Sequence, residues 1–184
     1  QGVSSAASDV YKRQCLACPP KYRALKDFHA YYAGAKRAPY LTIFIGGNHE
    51  ASNHLAELAH GGWAAPNIYY LGHAGAVTVH GVRVAGLSGI YKAQHYRLPR
   101  TEAPPYSPDA LRSAYHVRAL DAHRLARLTG PIDVFLSHDW PAGIARHGDV
   151  DALLSRKSFL RSEIADGSLG SPPAASRAAA LRPA

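Results

Sequence analysis

Two short polar clusters stand directly after apolar runs, and their residue types suit metal chemistry. The sequence Asn48-His49-Glu50 follows a run at 40–45, and His138-Asp139 follows another at 132–136. An Asn oxygen is a neutral ligand for a hard divalent ion, and a neutral imidazole suits zinc, iron or manganese. A histidine beside the metal can instead donate a proton to a leaving oxygen. The alternative is ordinary turn chemistry for the first cluster and a surface histidine for the second.

The runs before these clusters predict where the clusters lie. Tyr40 to Ile45 is a continuous apolar, β-branched run, and Ile132 to Leu136 is also mostly apolar; both patterns predict buried strands. Gly46 and Gly47 allow the chain to turn sharply after the first run. Open α/β sheets bind ligands beyond the carboxyl ends of their strands, so we expect the two clusters to meet at one sheet edge.

A basic, tyrosine-bearing segment at 88–118 is the second candidate site. Its net charge is +3, from five cations (Lys92, Arg97, Arg100, Arg112 and Arg118) less two carboxylates (Glu102 and Asp109). Four tyrosines are interleaved with these residues, as expected where phosphates and unstacked bases are bound together. The alternative is a solvated surface with a few packed rings. A second basic stretch, 21–37, predicts a solvated helix face.

The overall composition allows one soluble domain with a basic surface. The chain has 184 residues, 47% hydrophobic and 18% charged, with a formal net charge of +8. This charge suits a nucleic acid, although many basic proteins bind none. No apolar run is long enough for a membrane helix, and the first residues show no secretory signal.

Several further residues could carry chemistry, but the sequence favours structural roles for them. Cys15 and Cys18 could form a redox motif or half a zinc site; two unrelated thiols in a reducing compartment fit better, because no second ligand pair follows. We do not assign His54, His116 or His147 as metal ligands. His54 is expected to pack near the turn, and His116 to contact RNA. Trp63 and Trp140 are expected to be core or rim aromatics.

The remaining pattern predicts alternating strands and helices, and therefore an α/β domain without repeats or a linker. We expect a helix from Pro19 to about Gly34, a helix capped by Ser52, a strand at 67–71 and a hairpin about His80-Gly81. A polar loop should run from 88 to 108. The other predicted elements are one long helix from Ser107 or Asp109 to Leu128, short helices at 150–154 and 159–165, and no closing element at 167–184.

The motifs resemble those of a known enzyme family. Gly-Asn-His-Glu is similar to the central motif of the calcineurin-like metallophosphoesterases. The stretches GGNHEASNHL, APPYSPDALRSAYHVR, FLSHDWP and LGSPPAAS, in this order, resemble the RNA lariat debranching enzymes. The resemblance covers about Cys15 to Pro183.

The resemblance implies a function and a set of site residues. The fold would be an incomplete metallophosphoesterase β-sandwich flanked by helices. Asn48 and His138 would bind metal, His49 would protonate the leaving oxygen, and 88–118 would recognise the lariat. The complete enzyme would use two ions (Fe²⁺, Zn²⁺ or Mn²⁺) to hydrolyse the 2′–5′ phosphodiester at the branch point of intron lariat RNA in the nucleus. The expected RNA contacts are Lys92, His95, Tyr96, Arg97, Arg112, His116 and Arg118.

The sequence also departs from the family. The early Cys-x-His and Gly-Asp ligand segments and the late His-x-His pair have no match here, and the chain contains no Met. We therefore expect a partial domain at 15–184, preceded by an unrelated or disordered tail at 1–14, and inactive by itself. The alternatives are another calcineurin-like phosphoesterase, or an RNA-binding remnant without catalysis. Protein partners are not predicted.

Overall fold

Six strands form two three-stranded sheets in the computed structural model, which describes residues 27–183. The first sheet has the order β1 (Thr42–Phe44), β3 (Ile68–Tyr70) and β2 (Gly62–Ala65). Within it β1 is parallel to β3, and β2 is antiparallel to β3. The second sheet has the order β4 (Ala74–Val79), β5 (Val82–Leu87) and β6 (Val134–Ser137), and β5 is antiparallel to β4 and parallel to β6.

Short helices connect and flank these strands. They are α1 (Phe28–Tyr32), α2 (Ser52–Glu57), α3 (Ala93–Tyr96), α4 (Pro108–Ser113), α5 (Ala119–Ala126), α6 (Val150–Arg156), α7 (Arg161–Asp166) and α8 (Pro172–Leu181), with 3₁₀ turns at Ile144–His147 and Ser158–Leu160. The mixed α/β class is confirmed, and the two sheets are consistent with part of a metallophosphoesterase fold. Within residues 27–183, each helix is too short or too polar to cross a membrane.

The core lies where the second sheet meets α5 and α8. Ala85 and Leu87 of β5, Leu125 of α5 and Ala174 of α8 are all buried in one cluster. Removing this apolar surface from water is the main force that holds both helices on the sheet. The sheet is therefore a fixed base for the loops that leave its strands.

The β4–β5 hairpin is confirmed as predicted. Its two turn residues, His80 and Gly81, have φ angles of 49° and 85°. Positive φ at both central positions is what a two-residue hairpin turn requires. The turn places β5 in register beside β4 and so fixes where β5 ends.

The expectation of a buried first strand is wrong in part. Thr42 is exposed, and Ile43 and Phe44 are only half-buried. In the described chain β1 pairs with β3 alone, so its other edge has no strand beside it. Tyr40, just before the strand, is 81% exposed for the same reason.

The single long helix expected from Ser107 to Leu128 is also wrong. Ser107 does cap a helix, since its Oγ accepts a hydrogen bond from the Ala110 amide, but that helix ends at Ser113. His116 pairs instead with Ile90 in an isolated parallel bridge, and α5 starts afresh after Arg118. Pairing across the fold overrides the local helical pattern here.

The two ends of the chain compare with expectation in different ways. The first half of the helix expected from Pro19 lies outside the described residues, as do Cys15, Cys18 and the segment 1–14. Its described part is α1. The end 167–184 does contain a helix that we did not predict, because Ser171 Oγ caps α8 and proline occupies its first turn.

Ser52 does not cap α2. It is the first residue of the helix, after Ala51, and its side chain is buried. The helix is nevertheless in its predicted place, as are β3 and the short helices α6 and α7.

Candidate functional site

The loop after β1 is fastened to the loop after β5 by a small hydrogen-bond network. The Gly46 amide donates to Ser88 Oγ at 3.1 Å, and the Gly89 amide donates to the Gly46 carbonyl at 2.8 Å. The Ser88 hydroxyl in turn donates to the Gly72 carbonyl at 2.6 Å. All four residues are buried. The turn that carries Asn48 and His49 is therefore held on a rigid base.

The loop after β6 lies against the same turn. A Cβ placed on Gly47 would stand 2.6 Å from Nε2 and Cδ2 of His138, so the imidazole packs directly on the glycine backbone. Any side chain at position 47 would push this ring aside. The two polar clusters do meet at the ends of their strands, and Asn48 is the residue adjacent to the contact. Their chemical roles remain predictions.

A third contact closes the arrangement. The Tyr91 amide, just after β5, donates to Asp139 Oδ2 at 2.8 Å. The loops 46–50, 88–91 and 138–139 are thus joined in pairs, and we call them the three-loop site. Because β1 belongs to one sheet and β5 and β6 to the other, the site forms where the two sheets adjoin.

The candidate side chains are open to solvent. His49 and His138 are exposed and Asn48 is half-buried, whereas the backbone at Gly46 and Gly47 is buried. Glu50 turns back, and its Oε1 accepts a hydrogen bond from the Gly47 amide at 3.3 Å. The site therefore presents the Asn48 amide and the His49 imidazole from a fixed turn, with the His138 imidazole on the neighbouring loop.

Two of the side chains beneath the turn, Tyr70 and His73, are polar but uncharged at neutral pH. Burial raises the pKa of Tyr70 to about 12, and burial followed by the charge of Arg100 lowers the pKa of His73 to about 4. Both side chains border a cavity of about 10 Å³ behind Gly46, which is roughly the space of one water molecule. The Glu50 side chain lines the same cavity, so a carboxyl group stands beside these neutral groups.

His54 packs near the turn, as expected. Its ring meets that of Tyr32 edge-on at 5.3 Å, and burial lowers its pKa. Trp63 is 61% exposed and contacts Tyr69, so it is a rim aromatic rather than a core one. Trp140 is also exposed, with the Lys157 ammonium 5.7 Å from its ring centre.

The basic segment 88–118 divides into inner and outer cations. Arg118 is only 4% exposed, and its guanidinium contacts Glu102 Oε1 at 2.6 Å. Arg100 contacts Asp121 at 2.7 Å and also donates to the carbonyls of Ala114 and His116. The expectation that Arg118 binds RNA is therefore corrected, because this side chain stabilises the segment from inside.

His116 needs the same correction. It is buried, and its Nδ1 lies 2.7 Å from Nδ1 of His95, so one ring donates to the other. Burial, followed by the charge of His95, lowers the pKa of His116 to about 4. His95 is half-buried in the same pair. An RNA contact remains a prediction for the exposed cations Lys92, Arg97 and Arg112, and for the half-buried His95 and Tyr96.

Proteins with similar sequences are named for one activity. The chain is 54% identical over 170 residues to the lariat debranching enzyme of Danio rerio, which is 92% of this chain and 30% of that protein. It is 54% identical to the human lariat debranching enzyme over 92% of this chain and 31% of that protein. For the Arabidopsis thaliana enzyme the identity is 54%, over 91% of this chain and 40% of the relative. The sequence is consistent with a fragment of a lariat debranching enzyme. No family model matches it.

The match covers nearly all of this chain but only part of each relative. The chain spans about 30–40% of the length of the curated lariat debranching enzymes it matches. The aligned part includes the three-loop site and the segment 88–118, because it takes in about nine-tenths of the chain.

The described residues of the chain do not complete a metal centre. In the range 27–183, no three His, Cys, Asp or Glu side chains gather where they could hold a metal ion. The candidate donors carried by the loops that meet there are one amide, Asn48, and one imidazole, His138. A two-metal centre needs several donors converging on both ions. The described residues therefore fit at most a part of such a centre.

Some residues that shape the site could not be selected from the sequence. Ser88 fixes the Asn-His turn, and Glu102 and Asp121 fix the inner arginines. For Ser88 the available signal is its position as the first polar residue after a predicted strand. For Glu102 and Asp121 the sequence offers no such signal, because their arginine partners lie 16 and 21 residues away.

Proposed function

We propose that this chain is part of an enzyme that hydrolyses the 2′–5′ phosphodiester bond at the branch point of excised intron lariat RNA. The observation that carries the proposal is the packing of His138 against Gly47, next to Asn48 and His49. It supports a shared role for two motifs 90 residues apart, counted from His138 back to Asn48. The relatives named lariat debranching enzymes supply the reaction.

Within this proposal each site residue has a stated part. His49, exposed on the fixed turn, donates a proton to the leaving oxygen of the branch nucleotide. Asn48 and His138 are two of the donors for divalent metal ions (Fe²⁺, Zn²⁺ or Mn²⁺), and the others come from outside the described residues. Lys92, Arg97 and Arg112 attract the RNA phosphates. Because introns are excised in the nucleus, we also propose that the protein works there.

The test uses a protein of the relatives' full length that contains this chain. A 2′–5′ branched oligoribonucleotide and a linear 3′–5′ one are incubated with it and with its His49→Gln variant. We expect cleavage of the branched substrate alone, and a loss of about 10²- to 10⁴-fold in kcat for the variant. The matched control is His147→Gln, another exposed histidine outside the three-loop site. Equal rates for both variants, or cleavage of the linear substrate, would contradict the proposal.

One observation favours a second candidate for the chain by itself. The two candidate ligands on the joined loops, Asn48 and His138, are too few to hold two ions, whereas the exposed cations Lys92, Arg97 and Arg112 need no metal. The 184-residue chain should therefore bind RNA without cleaving it. Measuring Mn²⁺- or Fe²⁺-supported cleavage of the branched oligoribonucleotide by this chain decides the matter, since turnover would rule out a purely binding role.

A further inference from the structure

A cleft between α5 and α8 shares only Tyr91 with the three-loop site described above. Its volume is about 460 Å³, which is within the range of small-molecule sites. It opens beside the start of the segment 88–118. The side chains that define it are those of Tyr91, Tyr96, His123, Pro173 and Arg177.

Two fixed tyrosine rings form one wall of the cleft. The rings of Tyr91 and Tyr96 meet edge-on, with 5.4 Å between their centres. Tyr96 packs on the apolar core, and the Tyr91 backbone is held by Asp139. Rings that are already ordered lose little entropy when a flat partner stacks on them. Such a wall suits a nucleobase, since stacking on aromatic side chains accepts any base.

The opposite wall carries positive charge without compensation. The Arg177 guanidinium makes a hydrogen bond to the neighbouring Ser176 hydroxyl at 2.9 Å, and His123 is exposed. No Asp or Glu of the described residues 27–183 lines the cleft. An arginine that faces a cleft without a carboxylate partner is suited to a phosphate group. Aromatic rings on one wall and a cation on the other match the two halves of a nucleotide.

We propose that this cleft binds one nucleotide of an RNA strand, with the base against Tyr91 and Tyr96 and the phosphate on Arg177. The inference rests on the proposed function, because RNA is the substrate there. The cleft is continuous with the three-loop site through Tyr91, whose backbone is bound to Asp139. A strand leaving the three-loop site can therefore pass into the cleft, which extends RNA binding beyond the outer cations of 88–118.

The test measures RNA binding rather than cleavage, so it is separate from the test of the proposed function. A fluorescein-labelled linear RNA of about six nucleotides is titrated with the 184-residue chain, and anisotropy is followed at several salt concentrations. Arg177→Gln should weaken binding by about five- to tenfold and reduce the salt slope by about 0.7. The control Arg127→Gln removes the same charge from an exposed position directly after α5 that does not line the cleft, and should stay within about twofold.

A second measurement locates the RNA directly. The same RNA carrying 5-bromouridine is cross-linked under ultraviolet light, and the modified peptide should contain Tyr91 or Tyr96. The proposal is overturned if Arg177→Gln binds like Arg127→Gln, if the cross-links avoid both tyrosines, or if the folded chain binds no RNA. Circular dichroism confirms that each variant is folded. None of these outcomes depends on whether the longer protein cleaves branched RNA.

Discussion

The inner and outer cations of the segment 88–118 have the same chemistry and opposite positions. Arg100 and Arg118 point inward to carboxylates, and Arg118 is 4% exposed. Lys92, Arg97 and Arg112 lie at the surface of the same segment. The ion pair of Arg118 with Glu102 connects the segment to itself, and that of Arg100 with Asp121 connects it to α5. The three outer cations remain available to a polyanion.

The difference lies in the partners rather than in the cations. Glu102 is 8% exposed at its side chain, and it receives hydrogen bonds from both Ser113 and Arg118. Burial alone would raise the pKa of Glu102, but the hydrogen bond from Ser113 and the charge of Arg118 hold it below its ordinary value. A buried carboxylate that stays ionised needs a buried cation. The net charge of a segment therefore overstates the charge it can offer to RNA.

The largest effect should come from breaking the ion pair between Arg118 and Glu102. Arg118→Ala leaves the ionised Glu102 buried and unpaired, which costs about 3–5 kcal/mol in the free energy of unfolding. Urea unfolding followed by circular dichroism measures the change. The matched control is Arg97→Ala at an outer cation, which should stay within about 0.5 kcal/mol.

A double variant tests whether the charge itself is responsible. Replacing both partners, as Arg118→Met with Glu102→Leu, removes the unpaired charge and should restore much of the lost stability. If Arg118→Ala were as stable as Arg97→Ala, the distinction between inner and outer cations would be wrong.

The features that the sequence predicted well have local signals in the chain, whereas the features that it missed depend on distant partners. The Asn48 and His138 clusters were expected to meet because each follows an apolar run that ends in polar residues. They do adjoin, but at the junction of two sheets rather than at one sheet edge, because β1 and β6 belong to different sheets. The interruption of the expected helix at 107–128 depends on the pairing of His116 with Ile90, 26 positions away. The local periodicity of the sequence does not indicate that pairing. The burial of Arg118 depends on Glu102 in the same way.

The closing helix α8 is a different kind of omission, because its signal was present. Ser171 followed by Pro172 and Pro173, and then by an alanine-rich run, is a helix start. The frequency of Ala, Ser, Pro and Gly across 167–184 concealed it. Without α8 the cleft at Arg177 could not be recognised, so this omission also concealed a candidate site.

The pH dependence of stability should distinguish the interior of the segment from its surface. The pKa of His116 is about 4 in the folded chain, below its ordinary value of 6.5. Between pH 6.5 and pH 4 the unfolded chain therefore binds a proton that the folded chain does not bind. The free energy of unfolding consequently falls as the pH is lowered from 6.5 toward 4. Each such histidine adds a slope of about 1.4 kcal/mol per pH unit within this window.

His116→Gln isolates its share of this slope. His73 and His54 also have lowered pKa values, so a slope of the same sign should persist in the variant but be smaller by about one proton. Urea unfolding between pH 6.5 and 5 measures it, above the range where the carboxylates titrate. The exposed His123→Gln is the control and should leave the slope unchanged. A slope unaffected by His116→Gln would mean that the His95–His116 pair takes up a proton in the folded chain.

The smallest effect on stability, and a clear one on binding, is expected at the outer cations. Lys92→Ala and Arg97→Ala remove exposed side chains, so each should change the free energy of unfolding by less than about 0.5 kcal/mol. Each should nevertheless reduce the salt slope of single-stranded RNA binding by about 0.7, because one phosphate contact and its counterion release are lost. Anisotropy titrations across a range of salt concentrations measure this slope. Arg112→Ala should reduce it less, because Asp109 lies 3.5 Å from that guanidinium and already neutralises part of its charge. An equal loss at all three positions would show that the surface carboxylate does not matter, and that only the buried ones separate structural cations from RNA-binding ones.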